Sequence, residues 1–345
     1  MIPAANVSLH VSPPPSSSLR PARWQQLWRE AVRDPRELLS MLGLEALSDR
    51  ISEQAAAQFP LRVPRGFVAR MRKGDAHDPL LRQVLPLDDE MRMVPGFAAL
   101  DAVCDDAARA GPGLLQKYRG RALLVATGSC AVNCRYCFRR HFPYAEETAA
   151  RAGWREAVET IGADSSIEEV ILSGGDPLSL ATSKLAELTQ ALTSIPHLKR
   201  LRLHTRLPVV LPERVDAGLL EWLAALPWPV AVVLHANHAN EFDARVDAAL
   251  ADLRGTGAQL LNQAVLLRGV NDSVQALAEL GERSFAAGVL PYYLHQLDRV
   301  AGVAHFEVPD HEAKRLHAAL AARVSGYLVP RLVREVAGDT GKRPL

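Results

Sequence analysis

Residues 127–142 read TGSCAVNCRYCFRRHF and place Cys130, Cys134 and Cys137 within eight positions, at the spacing C-x3-C-x2-C. Four cysteines in 345 residues do not indicate a disulfide framework, and such a cluster is more typical of metal binding or catalysis. Iron–sulfur cubanes commonly take four cysteines, so three would leave one iron open to a small molecule. A zinc site on the same cysteines and incidental buried thiols are the alternatives. We expect Cys104 to be a small buried residue and not a fourth ligand.

The sequence that follows this cluster alternates between two patterns. Short apolar runs rich in branched residues occupy 122–126, 170–172, 198–203, 230–234, 260–267 and 290–294. Amphipathic stretches separate them near 147–161, 183–193, 213–225, 243–254, 274–286 and 310–323. Six strand–helix units predict an α/β fold in which a parallel sheet curls into an incomplete (β/α)6 barrel. Polar motifs follow the strands, at the end where such barrels carry their chemistry.

The rest of the chain divides around this barrel. Residues 1–18 are rich in Pro and Ser and are predicted to be disordered. Residues 19–117 form a predicted N-terminal extension, with a helical pattern up to about residue 59 and short helices at best beyond it. The barrel is assigned to 118–325 and a short C-terminal segment to 326–345.

Composition excludes several classes of protein. The chain is 48% hydrophobic and 23% charged with a net charge of +1, so no basic excess points to nucleic acid or anionic lipid. The N-terminus lacks the pattern of a signal peptide, and the most apolar stretch, 218–234, is interrupted by Glu221, Pro227 and Pro229. We therefore expect a cytoplasmic protein with neither nucleic-acid nor membrane partners.

Five motifs in one order extend the interpretation: CRYCFRRHF, ILSGGDPL, TRLPVVLP, NQAVLLRGVND and LPYYLHQLD. Along most of 60–345 they resemble the radical S-adenosylmethionine (SAM) superfamily and, within it, the lysine 2,3-aminomutases. The similarity is strongest to the short bacterial branch that makes β-lysine for modification of elongation factor P. The resemblance implies a [4Fe-4S] cluster, SAM, pyridoxal 5'-phosphate, L-lysine as substrate, an electron donor protein and a possible homo-oligomer. The chain lacks the cysteine-bearing tail of longer members, so neither zinc nor a tail-driven tetramer is expected.

The resemblance assigns the substrate site. In AGDTGKRP, Lys342 matches the lysine that holds pyridoxal phosphate, although composition alone would make it a solvated tail residue. Arg139 matches the arginine that binds the substrate carboxylate, for which a forked and permanently charged group is well suited. Asp298 and Glu335 match the two acidic positions that receive the distal ammonium, whose burial without carboxylates would be costly.

The resemblance also assigns the cofactor contacts. For SAM, the two glycines of SGGD would let the backbone approach the ligand, and the aspartate of the same motif would accept a hydrogen bond from the SAM ammonium. The tyrosine between the last two cysteines would stack near the adenine. A histidine and a glutamine on two strands match nucleotide-binding positions. These residues are Gly174, Gly175, Asp176, Tyr136, His235 and Gln263. Arg121 and, as a weaker match, Lys117 would bind the phosphate of pyridoxal phosphate. Plain turns, buried core polar residues and surface cations are the competing interpretations.

Three other functions stay open at this point. An aminomutase for another amino acid, such as glutamate or arginine, would keep the same architecture, although an acidic pair would repel glutamate. A radical SAM enzyme without pyridoxal phosphate would modify a macromolecule. A non-catalytic metal-binding module would bind zinc and cleave no SAM.

Overall fold

The computed structural model describes residues 23–144 and 154–345. The predicted disordered segment 1–18 and the start of the predicted helix 147–161 lie outside the described residues. Within them, no helix is long and apolar enough to cross a membrane.

Short helices make up the N-terminal extension. They are α1 (Arg23–Arg29), α2 (Pro35–Leu42), α3 (Glu53–Gln58), α4 (Arg65–Val68) and α5 (Pro79–Arg82). The ends of α2 show why these helices are short. Asp34 caps its N-terminus by accepting from the Arg36 N–H, and Gly43 ends it with a φ of +66°. The predicted helical pattern up to residue 59 is therefore several turns of helix broken by caps.

A ten-stranded sheet in sequential order β1 to β10 forms the centre of the protein. Its strands are β1 (Arg109–Gly111), β2 (Leu114–Tyr118), β3 (Arg121–Thr127), β4 (Glu169–Gly174), β5 (Arg200–Thr205), β6 (Val230–Leu234), β7 (Gln259–Val265), β8 (Leu290–His295), β9 (Arg331–Arg334) and β10 (Arg343–Pro344). Neighbours from β3 to β9 are parallel, whereas β1, β2 and β10 pair antiparallel. Strands β3 to β8 are the six predicted strands, so the α/β prediction is confirmed.

The connections between parallel strands are helical, as a crossover between parallel neighbours requires. They are α6 (Arg155–Ala163), α7 (Thr182–Leu192), α8 (Leu207–Val210), α9 (Ala217–Ala224), α10 (Ala244–Gly255), α11 (Val274–Ala286) and α12 (Asp310–Arg323). Strand β4 is buried at every residue, which is typical of a parallel strand covered on both faces.

The sheet curls until its two ends approach each other. Tyr118, on β2, donates from its hydroxyl to Glu335, one residue after β9, over 2.6 Å. β2 and β9 do not pair through backbone hydrogen bonds. The barrel is therefore closed at this point by side chains. The sequence pattern did not predict β1, β2, β9 and β10, and the sheet extends beyond the predicted limits of 118 and 325.

Buried ion pairs connect the N-terminal extension to the loop that carries the three cysteines, called the cysteine loop below. Glu90 accepts from Arg135 Nε over 2.7 Å and from Arg140 Nη2 over 2.7 Å, and all three side chains are almost wholly buried. The Arg135 N–H also donates to the Gln83 carbonyl over 2.8 Å. Because Arg135 lies between two of the cysteines, the extension fixes the conformation of the loop.

We predict that Glu90→Gln lowers the free energy of unfolding by about 3–5 kcal/mol, because two buried guanidinium groups lose the one carboxylate that they contact within 23–144 and 154–345. Denaturant unfolding of the metal-free protein measures this loss. The matched control is Glu53→Gln, whose carboxylate pairs with Arg36 in solvent and should contribute less than about 1 kcal/mol. Equal losses in both variants would contradict the prediction.

Candidate active site

One cavity of about 280 Å³ lies inside the curled sheet. Every residue that the sequence singled out for a site lines it: Cys130, Cys134, Cys137, Tyr136, Arg139, Lys117, Arg121, Gly174, Gly175, Asp176, His235, Gln263, Asp298, Glu335 and Lys342. The structure thus brings together side chains more than 200 residues apart in sequence, while their individual roles stay predictions.

The cysteine loop directly follows β3. Burial, Asp176 and the neighbouring cysteines raise the pKa of the Cys130 thiol well above its usual range. Burial and Cys134 raise the pKa of Cys137 to about 11. Free thiols at these positions would therefore stay protonated at neutral pH, and a positively charged metal centre is what would deprotonate them. Three thiols facing one cavity fit the donor set of an iron–sulfur cluster that has one iron without a protein ligand.

A fourth cysteine ligand is not in place. Cys104 is exposed and is not among the residues that line the cavity, so the expectation that it is buried was wrong. Its φ of +52° places it at a turn of the backbone, which keeps the side chain outside the core. In the described part of the chain, no three His, Cys, Asp or Glu side chains converge on one point as a single metal ion would need.

Asp105, which sequence analysis missed, holds two of the predicted cations. Arg139 Nε donates to Asp105 Oδ2 over 2.7 Å, and Lys117 Nζ lies 2.8 Å from Oδ1. Burial alone would raise the pKa of Asp105, but Arg139 and Lys117 outweigh it and lower that pKa. Lys117 also donates to the Val103 carbonyl, so its ammonium is already satisfied. Its role toward a phosphate stays a prediction.

Lys342 lies in the cavity and not in solvent. Its Nζ donates to Glu335 Oε2 over 2.8 Å, and its side chain is 22% exposed. The antiparallel pairing of β10 with β9 puts it there, because Arg343 lies opposite Arg334. Burial would raise the pKa of Glu335, but Lys342 and Tyr118 outweigh it and lower that pKa.

Asp298 is the second predicted carboxylate at this end of the cavity. Burial raises its pKa to about 7, with Lys342 opposing the rise and Glu335 adding to it. Within 23–144 and 154–345, no side-chain hydrogen bond or ion pair engages Asp298. It is therefore the acidic group that stays available for a cation, whereas Glu335 is already occupied.

Asp176 and the glycine pair make contacts within the protein that the sequence did not predict, while their roles toward SAM stay predictions. The carboxylate of Asp176 accepts from the N–H groups of Leu178, Arg206 and Leu207 and from the Thr205 hydroxyl. A carboxylate offers about four acceptor sites, and these donors occupy them. Asp176 thereby ties the turn after β4 to the end of β5.

The same turn packs tightly against the start of the cysteine loop. A Cβ on Gly174, whose φ is +114°, would lie 2.6 Å from the Thr127 carbonyl oxygen, and one on Gly175 would lie 2.5 Å from that of Ser129. The glycines are therefore required for contact with residues 127–129, and not only for the approach of a ligand.

Three neutral histidines occupy the carboxyl ends of the strands. Burial lowers the pKa of His235 to about 3, and burial also lowers the pKa values of His204 and His295 well below the usual range. His235 Nε2 lies 3.1 Å from Gln263 Nε2, whereas the buried Nε2 atoms of His204 and His295 have no hydrogen-bond partner among the residues that the structure describes. The motif LPYYLHQLD contains His295, but neither His295 nor His204 was predicted as a site residue. Their repeated position after a strand was the available signal.

Two remaining predicted residues have clear surroundings. Tyr136 accepts a hydrogen bond from Arg206 over 2.7 Å and packs edge-on against Phe306. Arg121 lies over the Tyr118 ring, and its buried Nε has no hydrogen-bond partner in the described part of the chain. An unpaired buried guanidinium nitrogen in a cavity is compatible with an anionic group such as a phosphate.

Comparison with known proteins gives matches along nearly the whole chain. The family described as a 4Fe-4S single cluster domain matches residues 111–202. The L-lysine 2,3-aminomutase of Escherichia coli is 49% identical over 323 residues, which are 93% of this chain and 94% of that protein. The enzyme of the same name from Haemophilus influenzae is 46% identical over 319 residues, 92% of this chain and 94% of that protein. Among solved structures, Streptococcus suis SuiB bound to S-adenosylmethionine has a TM-score of 0.46 and 15% identity, over 64% of this chain and 51% of that one.

We predict that Asp298→Asn raises the stability of the metal-free protein at pH 8. Between about pH 4 and pH 7 the native state holds a proton on Asp298 that the unfolded chain releases, so native stability falls as the pH rises through this window. Removing the carboxylate should restore up to about 4 kcal/mol at pH 8 and almost nothing near pH 4. Thermal unfolding at both pH values measures the difference.

Asp310→Asn is the matched control. A hydrogen bond from Arg334 lowers the pKa of Asp310, so loss of this carboxylate should not stabilise the protein at pH 8. A destabilised Asp298→Asn variant at pH 8 would refute the environment assigned to Asp298.

Proposed function

The chain belongs to the lysine 2,3-aminomutase family of radical SAM enzymes, and on this basis we propose that it moves the amino group of L-lysine from carbon 2 to carbon 3. The product is β-lysine, and the enzyme is an isomerase. The observation that carries the proposal is that one cavity holds both the three-cysteine loop and Lys342, with Arg139 and Asp298 available for the two charged ends of a lysine.

Each cofactor has residues that fit it. Cys130, Cys134 and Cys137 would hold a [4Fe-4S] cluster beside SAM, while Lys342 would hold pyridoxal 5'-phosphate and Arg121 its phosphate. When bound, the cluster and SAM supply a carbon radical, and pyridoxal phosphate supplies a conjugated ring through which an amino group can migrate. The protein contributes binding, orientation and the exclusion of water.

Arg139 suits the substrate carboxylate. Asp105 braces the Nε edge of its guanidinium, and Ser173 Oγ lies 3.4 Å from Nη1. Because these contacts hold the guanidinium group in one position, it fixes where the substrate carboxylate must lie. The positions of carbons 2 and 3 follow from that of the carboxylate. Burial opposes the charge, but Asp105 and Tyr144 outweigh it and raise the pKa of Arg139.

Asp298 suits the distal ammonium. Its pKa of about 7 reflects a buried carboxylate without a close cation, and an incoming ammonium would supply that cation. Glu335 is engaged by Lys342 and Tyr118, so we assign it a supporting role at the same end of the cavity. An acidic end disfavours glutamate as the substrate, because its side chain carries the same charge.

We propose further that the electron for the cluster comes from a separate donor protein and that the enzyme acts in the cytoplasm. Resemblance to the short bacterial branch supports a link between its β-lysine and elongation factor P. Elongation factor P that carries no β-lysine in cells expressing this protein would contradict the link.

Product analysis tests the main proposal. The anaerobic protein, reconstituted with iron, sulfide and pyridoxal phosphate and then reduced, is incubated with SAM and with labelled lysine, arginine or glutamate. We expect β-lysine from lysine alone. Cleavage of SAM without any β-amino acid would refute the aminomutase assignment, and stable zinc without iron would indicate a metal-binding module.

We predict that Lys342→Ala abolishes the visible absorption that pyridoxal phosphate gains when an enzyme lysine binds it. The control is Lys314→Ala, on the exposed side of α12, which should leave the absorption unchanged. A spectrum of Lys342→Ala identical to that of the parent protein would remove Lys342 from the pyridoxal site.

A further inference from the structure

Arg206 joins the cysteine loop to the centre of the barrel. It follows β5, its side chain is almost wholly buried, and its Nη1 lies 2.7 Å from Cys134 Sγ and 2.7 Å from Tyr136 Oη. Among the described residues, no other cationic side chain hydrogen-bonds a cysteine sulfur. One predicted cluster ligand thus receives a hydrogen bond from a permanent positive charge, and the other two do not.

The guanidinium group cannot swing away from the sulfur. Its Nη2 donates to Gln83 Oε1 over 2.8 Å and to Glu241 Oε2 over 2.9 Å, and its own backbone N–H donates to Asp176. Glu241 is fully buried, and its second oxygen accepts from the Asn237 N–H over 2.8 Å. Three different parts of the chain therefore fix Arg206 against Cys134.

Such a contact has a defined electrostatic consequence. Hydrogen bonds to the sulfurs and the charges around a cluster set its reduction potential. A fixed cation stabilises the form that carries the additional electron, and burial keeps water from screening the effect. The carboxylate of Glu241 has the opposite sign and lies on the far side of the same guanidinium group, so it weakens the effect.

We propose that Arg206 is a positioning residue that sets the reduction potential of the cluster through Cys134, and that the negative charge of Glu241 limits this effect. The step concerned is the addition of one electron from an external low-potential donor to the oxidised cluster, in which no bond forms or breaks. The inference rests on the proposed function only in requiring an iron–sulfur cluster on the three cysteines.

The test is a redox titration of the full-length reconstituted protein. Sodium dithionite with mediator dyes reduces the cluster in the absence of SAM, and electron paramagnetic resonance reports the reduced fraction. In Arg206→Lys the compact ammonium group cannot donate hydrogen bonds to Cys134, Gln83 and Glu241 at the same time. We expect the equilibrium constant for reduction to fall about tenfold, which is about 59 mV for one electron.

A second variant gives the opposite sign. Glu241→Gln keeps the contact between Arg206 and the Cys134 sulfur but removes the negative charge that opposes it, so the reduction potential of the cluster should rise. Arg214→Lys is the matched control, because Arg214 is equally buried but donates to the Leu178 and Leu180 carbonyls. Its potential should equal that of the parent protein.

The outcomes separate the two proposals. A parent protein that assembles no cluster overturns the proposed function. Clusters that assemble with the same potential in parent and variants overturn the role of Arg206, as do shifts of one sign in both variants. If Arg206→Lys holds no cluster, Glu241→Gln decides, and an unchanged or lower potential in that variant rejects the inference.

Discussion

A buried ladder of alternating charges organises this cavity. It runs from Arg139 to Asp105, Lys117, Glu335 and Lys342, with successive ion pairs of 2.7, 2.8, 3.7 and 2.8 Å. Unpaired charges in such a place would cost several kcal/mol each, so each member depends on its neighbours. The ladder starts beside the cysteine loop, crosses the gap between β2 and β9 and ends at the C-terminal strand pair. It therefore closes the barrel and places the two proposed cofactor sites in one cavity.

The cysteine loop is held on two sides. From the extension, the buried pair of Arg135 and Glu90 fixes its middle. From the barrel, the turn with Gly174 and Gly175 packs against its first residues, and Asp176 ties that turn to β5. These contacts leave the loop little freedom, so its thiols are presented to the cavity in advance. Such preorganisation is what a cluster with one open iron requires, because the loop itself must supply all the protein ligands.

The remaining polar groups of the cavity are tuned by burial. The histidines are kept neutral, burial raises the pKa values of the Cys130 and Cys137 thiols, and Asp298 has a pKa near neutrality. Each shift disfavours the charged form, as desolvation does. The cavity therefore favours ligands that are themselves charged. An amino acid with a charged amine, a carboxylate and a cationic side chain is such a ligand.

The sequence alone determined the six parallel strands, the position of the site at their carboxyl ends and the identity of every cavity residue selected beforehand. Apolar periodicity and the three-cysteine motif are local signals, so the residues themselves predict the strands and the cysteine site. The other site residues were predicted only through the resemblance of five motifs to one family. Only the tertiary structure decided what those residues contact. Asp105 and Arg206 were not recognisable, because folding supplies their partners: Arg139 lies 34 positions from Asp105, and Cys134 lies 72 positions from Arg206. The contacts of Asp176 and Lys117 could not be predicted for the same reason, since their hydrogen-bond partners are supplied by folding. Strands β9 and β10 are too short to show periodicity, and it is their pairing that carries Lys342 from the tail into the barrel.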